Sequence, residues 1–191
     1  WAQTARNALY SQPSPDGFYT GNAEVMPFIG LLRNYYAWTW GDALFVVIDP
    51  YWPSPVPVDA VFGGSAKVQN NMWQVTHGDA QYQWLKKTLE SSKATYKFLF
   101  SHNLIGGLDM RGMMRGGIET VKYLEMGGYN LDGTWGFDKA RPGWEMPIHQ
   151  LLVKYNATAY FHGHDHLYVH QELDGKVFDL RHAVRHQNRV V

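Results

Sequence analysis

Hydrophobic and polar positions alternate between two regimes along this chain. Three short runs are apolar almost throughout: Ala43 to Asp49 (ALFVVID), Tyr96 to Phe100 (YKFLF) and Ala157 to Phe161 (ATAYF). Runs of that length, closed by turn residues, predict buried strands. Tyr35 to Trp40 (YYAWTW) predicts a further strand, joined to the first run by the two-residue turn Gly41-Asp42. A second hairpin is predicted at Leu167 to Leu173 and Lys176 to Leu180, around Asp174-Gly175. Helical spacing appears in Ala80 to Ser91, where Tyr82, Leu85 and Leu89 share a face and Asp79 stands as the expected N-cap. It appears again in Met146 to Tyr155, with Pro147 in the first turn. Residues 1–10 suit a short helix. Ser11 to Gly17 and Pro50 to Pro57 are too rich in proline for central strands, and the chain reads as loop from there to Thr76. Leu104 to Gly143 is glycine-rich and too long for an idle connection. No repeat or linker interrupts the 191 residues, so the pattern predicts one α/β domain, a mixed sheet flanked by helices.

Composition narrows the partners. Hydrophobic residues make up 45% and charged residues 18%, which excludes a disordered chain. Lys+Arg and Asp+Glu both count 17, and no basic patch stands out, so neither nucleic acid nor an anionic membrane is the expected partner. No apolar run reaches the length of a membrane span. Cysteine is absent, which leaves only nitrogen and oxygen ligands for any metal. The chain opens on Trp1, which reads as a processed product or a fragment.

The chemistry concentrates where apolar strands end. Two of them finish in histidine, as FLFSHN and as AYFHGHDH. Ligand sites in open α/β sheets gather beyond the carboxyl ends of strands, so His102 is expected to meet His164 and His166 although 62 residues separate His102 from His164. Imidazole is a common ligand for zinc, iron and manganese, and Gly163 permits a tight backbone path beside one. His162 and His170 fit structural positions, His77 a loop and His149 a helix. Arg115 (RGGIE) and Arg141 (ARPGW) have the fork that clamps a phosphate or orders a loop. Glu125 and Asp132 suit loop ordering. Asp49, closing a strand, suits a turn cap or a metal site, and Asp165, between two candidate ligands, suits the orienting of a turn or an imidazole. The pair His182 and His186 stands at helical spacing in a basic tail.

These stretches together resemble the calcineurin-like metallophosphoesterases, and among them bacterial members related to purple acid phosphatases. The resemblance is carried by FHGHDH after LLVKYNATAY, by FSHN after QYQWLKKTLE, and by YYAWTWGDALFVVIDPYW, RGGIE, EMGGYNLDG, FDKARPGW and GHDHLYVHQELDG. It covers roughly residues 5 to 178. It implies a partial metallophosphoesterase β-sandwich and hydrolysis of phosphoric esters by a metal-activated water. It implies one or two transition-metal ions (Zn, Fe or Mn) held by His102, His164 and His166, with Arg115 and Asp165 as catalytic candidates and a small phosphoester as substrate. An extracytoplasmic location goes with the family. The family's earlier motifs, Asp-x-His, Gly-Asp-x-x-Asp and Gly-Asn-His, are not found. Gly21-Asn22 is followed by Ala23, and Gly78-Asp79 has Tyr82 where a second Asp belongs. The chain therefore matches the carboxyl-terminal half of the catalytic domain. Asp49, Asp109, Asp132 and Asp165 are candidate substitute carboxylates. Two readings follow: a truncated or minimal hydrolase, or a non-catalytic remnant that binds metal or a partner. Homo-oligomerisation is expected under both, because half a sandwich leaves an apolar face uncovered.

Overall fold

A computed structural model describes residues 2–56, 58, 71–104, 116–166 and 168–180. In chain order, α1 (Ala2–Leu9) precedes three two-residue strands, β1 (Thr20–Gly21), β2 (Val25–Met26) and β3 (Gly30–Leu31). β4 (Tyr36–Trp40) and β5 (Ala43–Val47) form the predicted hairpin, with Gly41 at φ 57° in its turn. There follow α2 (Asp79–Ser91), β6 (Tyr96–Phe100), α3 (Leu124–Gly127), α4 (Phe137–Ala140), α5 (Ile148–Lys154) and β7 (Ala159–His162). The hairpin β8 (Val169–Leu173) and β9 (Lys176–Leu180) closes the described chain.

Seven strands form one mixed sheet in the order β1-β4-β5-β6-β7-β9-β8, while β2 and β3 pair separately. β5, β6, β7 and β9 run parallel, and antiparallel pairs flank them. β1 is antiparallel to β4, which is antiparallel to β5, so β1 also points the way of the parallel strands. The carboxyl ends of β1, β5, β6 and β7 therefore lie on one edge.

Alternation along the strands divides the sheet into two unlike faces. Leu44 and Val46 of β5, Leu99 of β6, Tyr160 of β7 and Phe178 of β9 are buried with α2 (Tyr82, Leu85, Leu89) and α5 (Ile148, Leu151, Leu152) in one core. The Tyr82 ring stacks on Trp144 at 3.9 Å, and its hydroxyl donates to the Met146 carbonyl. Tyr36, Trp38, Phe45, Phe98, Phe100 and Phe161 project between these core positions and stay half-buried, ring against ring at 4.9 to 6.4 Å.

Several boundaries differ from expectation, each for a local reason. Asp79 is the first residue of α2, not its cap; Gly78 holds the cap position at φ 76°. The Asp79 carboxylate instead accepts from Trp144 Nε1 at 2.7 Å. Pro147 is the cap of α5, so that helix begins at Ile148. β7 begins at Ala159 and extends to His162, because Ala157 N–H donates to the Leu152 carbonyl and closes the preceding helix. Residues 116–143 include two short helices rather than unbroken loop. Asp109, Arg115 and the tail from residue 181, with His182 and His186, lie outside the described residues.

Candidate metal centre

Parallel pairing brings the histidines together. β6 and β7 pair Phe98 with Ala159, Leu99 with Tyr160 and Phe100 with Phe161. The ladder then continues past both strand ends: Ser101 N–H donates to the Phe161 carbonyl at 3.0 Å, and Gly163 N–H donates to the His102 carbonyl at 2.9 Å. That register sets the His102 and His164 rings edge to face with centroids 5.3 Å apart. Gly163 lies directly against this pair, its Cβ position 3.4 Å from His102 Nδ1, an ordinary contact distance.

The spacing suits a shared ion. Two imidazoles bound at about 2.1 Å with a tetrahedral angle between them put their ring centroids roughly 5 Å apart. Neutral nitrogen donors also suit the transition metals expected from a chain without cysteine. His166, two residues on, is exposed. Among the described residues no three His, Asp or Glu side chains converge as a ready-made cluster. The structure thus unites His102 with His164, and does not bring His166 in as a third member.

Other strand ends supply oxygen to the same edge. Asp49, two residues beyond β5, lines a cavity of about 790 Å³ together with Ser101, His102, His162 and Gly163. Its Oδ1 accepts from Tyr51 N–H at 3.2 Å, the turn cap that its position suggested. Its Oδ2 accepts from Asn34 Nδ2 at 3.2 Å, and Asn34 Oδ1 accepts from Asn22 Nδ2 at 2.7 Å. Asn22 directly follows β1, so its buried carboxamide stands on the histidine edge of the sheet. Sequence reasoning set Asn22 aside for want of a following histidine; its place after a parallel strand was the missed signal. Tyr51 and Asn103 were missed as well: Tyr51 hydroxyl donates to Asn103 Oδ1 at 2.5 Å, with the Tyr51 ring 6.3 Å from His102. Ser101 Oγ donates to the Asn103 carbonyl and lies 2.8 Å from the Tyr160 hydroxyl, whose pKa burial pushes up.

Asp165 Oδ2 accepts from Gly116 N–H at 2.9 Å. His164 and His166 on either side have φ of 81° and 55°. Left-handed backbone at non-glycine residues is held only where surroundings enforce it. His162 is buried at the end of β7, and His170 is exposed on β8.

Arg141 does not reach the site as a phosphate clamp. Its Nε donates to Glu125 Oε1 at 2.7 Å, Nη1 to the Ala140 carbonyl and Nη2 to the Trp73 carbonyl, with the Trp73 and Trp144 rings at 5.5 and 5.4 Å. Glu125 is fully buried and also accepts from Thr76 Oγ1, from His77 N–H and across 2.9 Å from His77 Nδ1. Burial alone would push this carboxyl up; the His77 hydrogen bond and charge, then Arg141 and Thr76, outweigh it and hold the pKa below the ordinary value. His77 is thus a buried partner within its loop. His149 lies on α5 as expected, and its Nε2 meets Asp174 Oδ2 at 2.9 Å. Asp132 accepts from Thr134 N–H and Oγ1 and orders its own turn.

No protein-family model and no curated protein matches the chain. Among solved structures it is similar to purple acid phosphatase PPD1 from yellow lupin (Lupinus luteus) seeds, with 16% identity and a TM-score of 0.40, over 94% of this chain and 25% of that one. A dimetal phosphatase from Danio rerio aligns at 15% identity and a TM-score of 0.42, over 76% of this chain and 48% of that one. PhoD aligns at 15% identity and a TM-score of 0.41, over 82% and 30%. The chain spans between a quarter and about half the length of these three proteins.

Proposed function

We propose that this chain hydrolyses phosphoric esters with one or two transition-metal ions, zinc, iron or manganese, one held between His102 and His164 and a second served by His166. The observation that supports it most is the His102–His164 pair, delivered by adjacent parallel strands at a spacing that one ion would fit. Such an ion polarises a phosphoryl oxygen and acidifies a water at neutral pH. The chain's own residues do the placing. Adjacent strand ends carry both imidazoles, while Asn22 and Asp49 add a carboxamide and a carboxylate on the same edge. Arg115 is assigned to the ester's phosphate, and a small phosphoester is the substrate class.

A second reading is a metal-binding or interaction remnant without turnover. The observation favouring it is that the described residues hold no group of three His, Asp or Glu side chains placed to bind one ion. Under either reading we assign the half-exposed aromatic face to contact between copies of the chain.

Elemental mass spectrometry of the purified protein, with turnover of p-nitrophenyl phosphate and bis-p-nitrophenyl phosphate, separates the two. At least one metal per chain and turnover that His164→Ala abolishes are expected of the hydrolase. Stoichiometric metal without turnover establishes the remnant, and absence of both metal and turnover removes the metal site altogether.

A further inference from the structure

The Gly116-Gly117 pair of RGGIE has no role in the assignment above, yet it is held in place from two sides. Gly116 N–H donates to Asp165 Oδ2 at 2.9 Å, and Ile118 N–H donates to Gln171 Oε1 at 3.2 Å. Gly116 has neither the backbone conformation nor the room for a side chain, and the end of the Gln171 side chain packs against Gly117. A Cβ on Gly116, whose φ is 120°, would stand 2.3 Å from Thr120 Cγ2, and one on Gly117 would stand 2.0 Å from Gln171 Oε1. The same Asp165 lies between two histidines with left-handed backbone, at φ 81° and 55°. One carboxylate therefore ties this three-residue strap to the turn that presents His164 and His166.

We propose that the Gly116–Ile118 strap is a positioning element of the histidine site, with Asp165 and Gln171 as positioning residues. This rests on the metal-centre reading above. Asp165 holds no metal in this assignment. It fixes the turn between the two histidines by gripping a backbone N–H that lies 49 residues earlier in the chain. Gln171 keeps that N–H in reach by holding the next turn of the strap on β8. Free of the strap, the turn relaxes from its left-handed backbone, and the imidazoles lose their aim. Outer groups that orient metal-binding histidines typically change metal affinity about 10- to 100-fold when removed.

The test compares Asp165→Ala, Asp165→Asn and Gln171→Leu with the parent protein by Mn²⁺ titration calorimetry and by amide hydrogen exchange at residues 116–118. Asp165→Asn keeps an acceptor oxygen for Gly116 N–H and is expected to bind Mn²⁺ within about twofold of the parent. Asp165→Ala is expected to bind about tenfold or more weakly, and to exchange its Gly116 amide faster even without metal. Coupling is reciprocal, so Mn²⁺ is expected to slow exchange at the strap in the parent but not in Asp165→Ala. A role confined to overall stability would shift the melting temperature and leave the affinity of the folded protein unchanged. Should Asp165→Ala fail to fold, Gln171→Leu, which leaves the histidine turn intact, must still speed exchange at Ile118 and weaken Mn²⁺ binding. Equal affinity in the folded Asp165→Ala, or in Gln171→Leu, overturns the proposal. A parent protein that binds no Mn²⁺ overturns the metal-centre reading instead, and the metal-free exchange comparison then decides whether the carboxylate holds the strap.

Discussion

At the scale of single residues, Glu125 is a buried charge held by three partners. It is fully buried, accepts from Thr76, His77 and Arg141, and joins the loop around residue 76 to the segment from α3 to Arg141. Removing one partner of a buried ion pair typically costs about 3–5 kcal/mol, because the other charge is stranded. Glu125→Ala would leave Arg141 between two tryptophans with its carboxylate gone. Chemical denaturation should show a loss in that range, with Glu125→Gln losing less. The sign of the pH dependence follows from the lowered pKa. A carboxyl held below its ordinary value of 4.5 contributes stability that is fully present above that value. The contribution is lost as pH falls through the lower folded value. Denaturation midpoints measured down from pH 6 should therefore drop in acid more steeply for the parent than for Glu125→Gln. Parallel curves would mean that other carboxylates dominate. None of this was visible as a network in the sequence. Glu125, His77 and Arg141 were legible only as isolated polar residues in loops, since the contacts joining Glu125 to the other two span 48 and 16 residues.

At the scale of elements, legibility followed how local the cause was. The hairpin at Gly41-Asp42, the α2 face of Tyr82, Leu85 and Leu89, and the hairpin at Asp174-Gly175 all rest on neighbours within a few residues, and all three form. The apolar run 43–49 was expected to be a buried strand, and β5 lies between β4 and β6. What the pattern did not carry was β1, two residues long, which exists because β4 offers it a paired edge. Asn22 was set aside for the same reason: its meaning comes from strand direction, not from its neighbours in sequence. The tie from Asp165 to Gly116 is of this kind too. Because the helix-side core is one cluster, α2 should be felt through the whole sheet. Leu85 is buried in the cluster that also holds sheet and α5 residues, so Leu85→Ala should cost about 2–5 kcal/mol. It should lower the melting temperature as one cooperative transition seen equally by tryptophan fluorescence and circular dichroism. Two separated transitions would show that α2 packs independently of the sheet.

At the scale of the whole molecule, the two faces of the sheet differ among the described residues. α2 and α5 cover Leu44, Val46, Leu99 and Tyr160, while the opposite face carries Trp38, Phe45, Phe98, Phe100 and Phe161 half-exposed in ring-to-ring contact. Contiguous apolar surface beyond a few hundred Å² is uncommon on monomers and marks a contact site. Zero formal net charge sets no long-range repulsion against a second copy. Sedimentation velocity over a hundredfold range of concentration should therefore show self-association. Phe98 is the residue to change. It lies mid-face and alternates with Leu99, so a charge at 98 points away from the helix-side core. Burying one phenylalanine is worth about 1.5–3 kcal/mol, and a symmetric contact loses it twice, so Phe98→Glu should weaken association by at least about a hundredfold. Circular dichroism should be unchanged. A parent protein that sediments as a monomer throughout would show that copies of the chain do not cover this face. A Phe98→Glu protein that associates as before would place the contact elsewhere. Only a shift to monomer with the fold retained ties association to the aromatic face, and that face borders the cavity into which His102 opens.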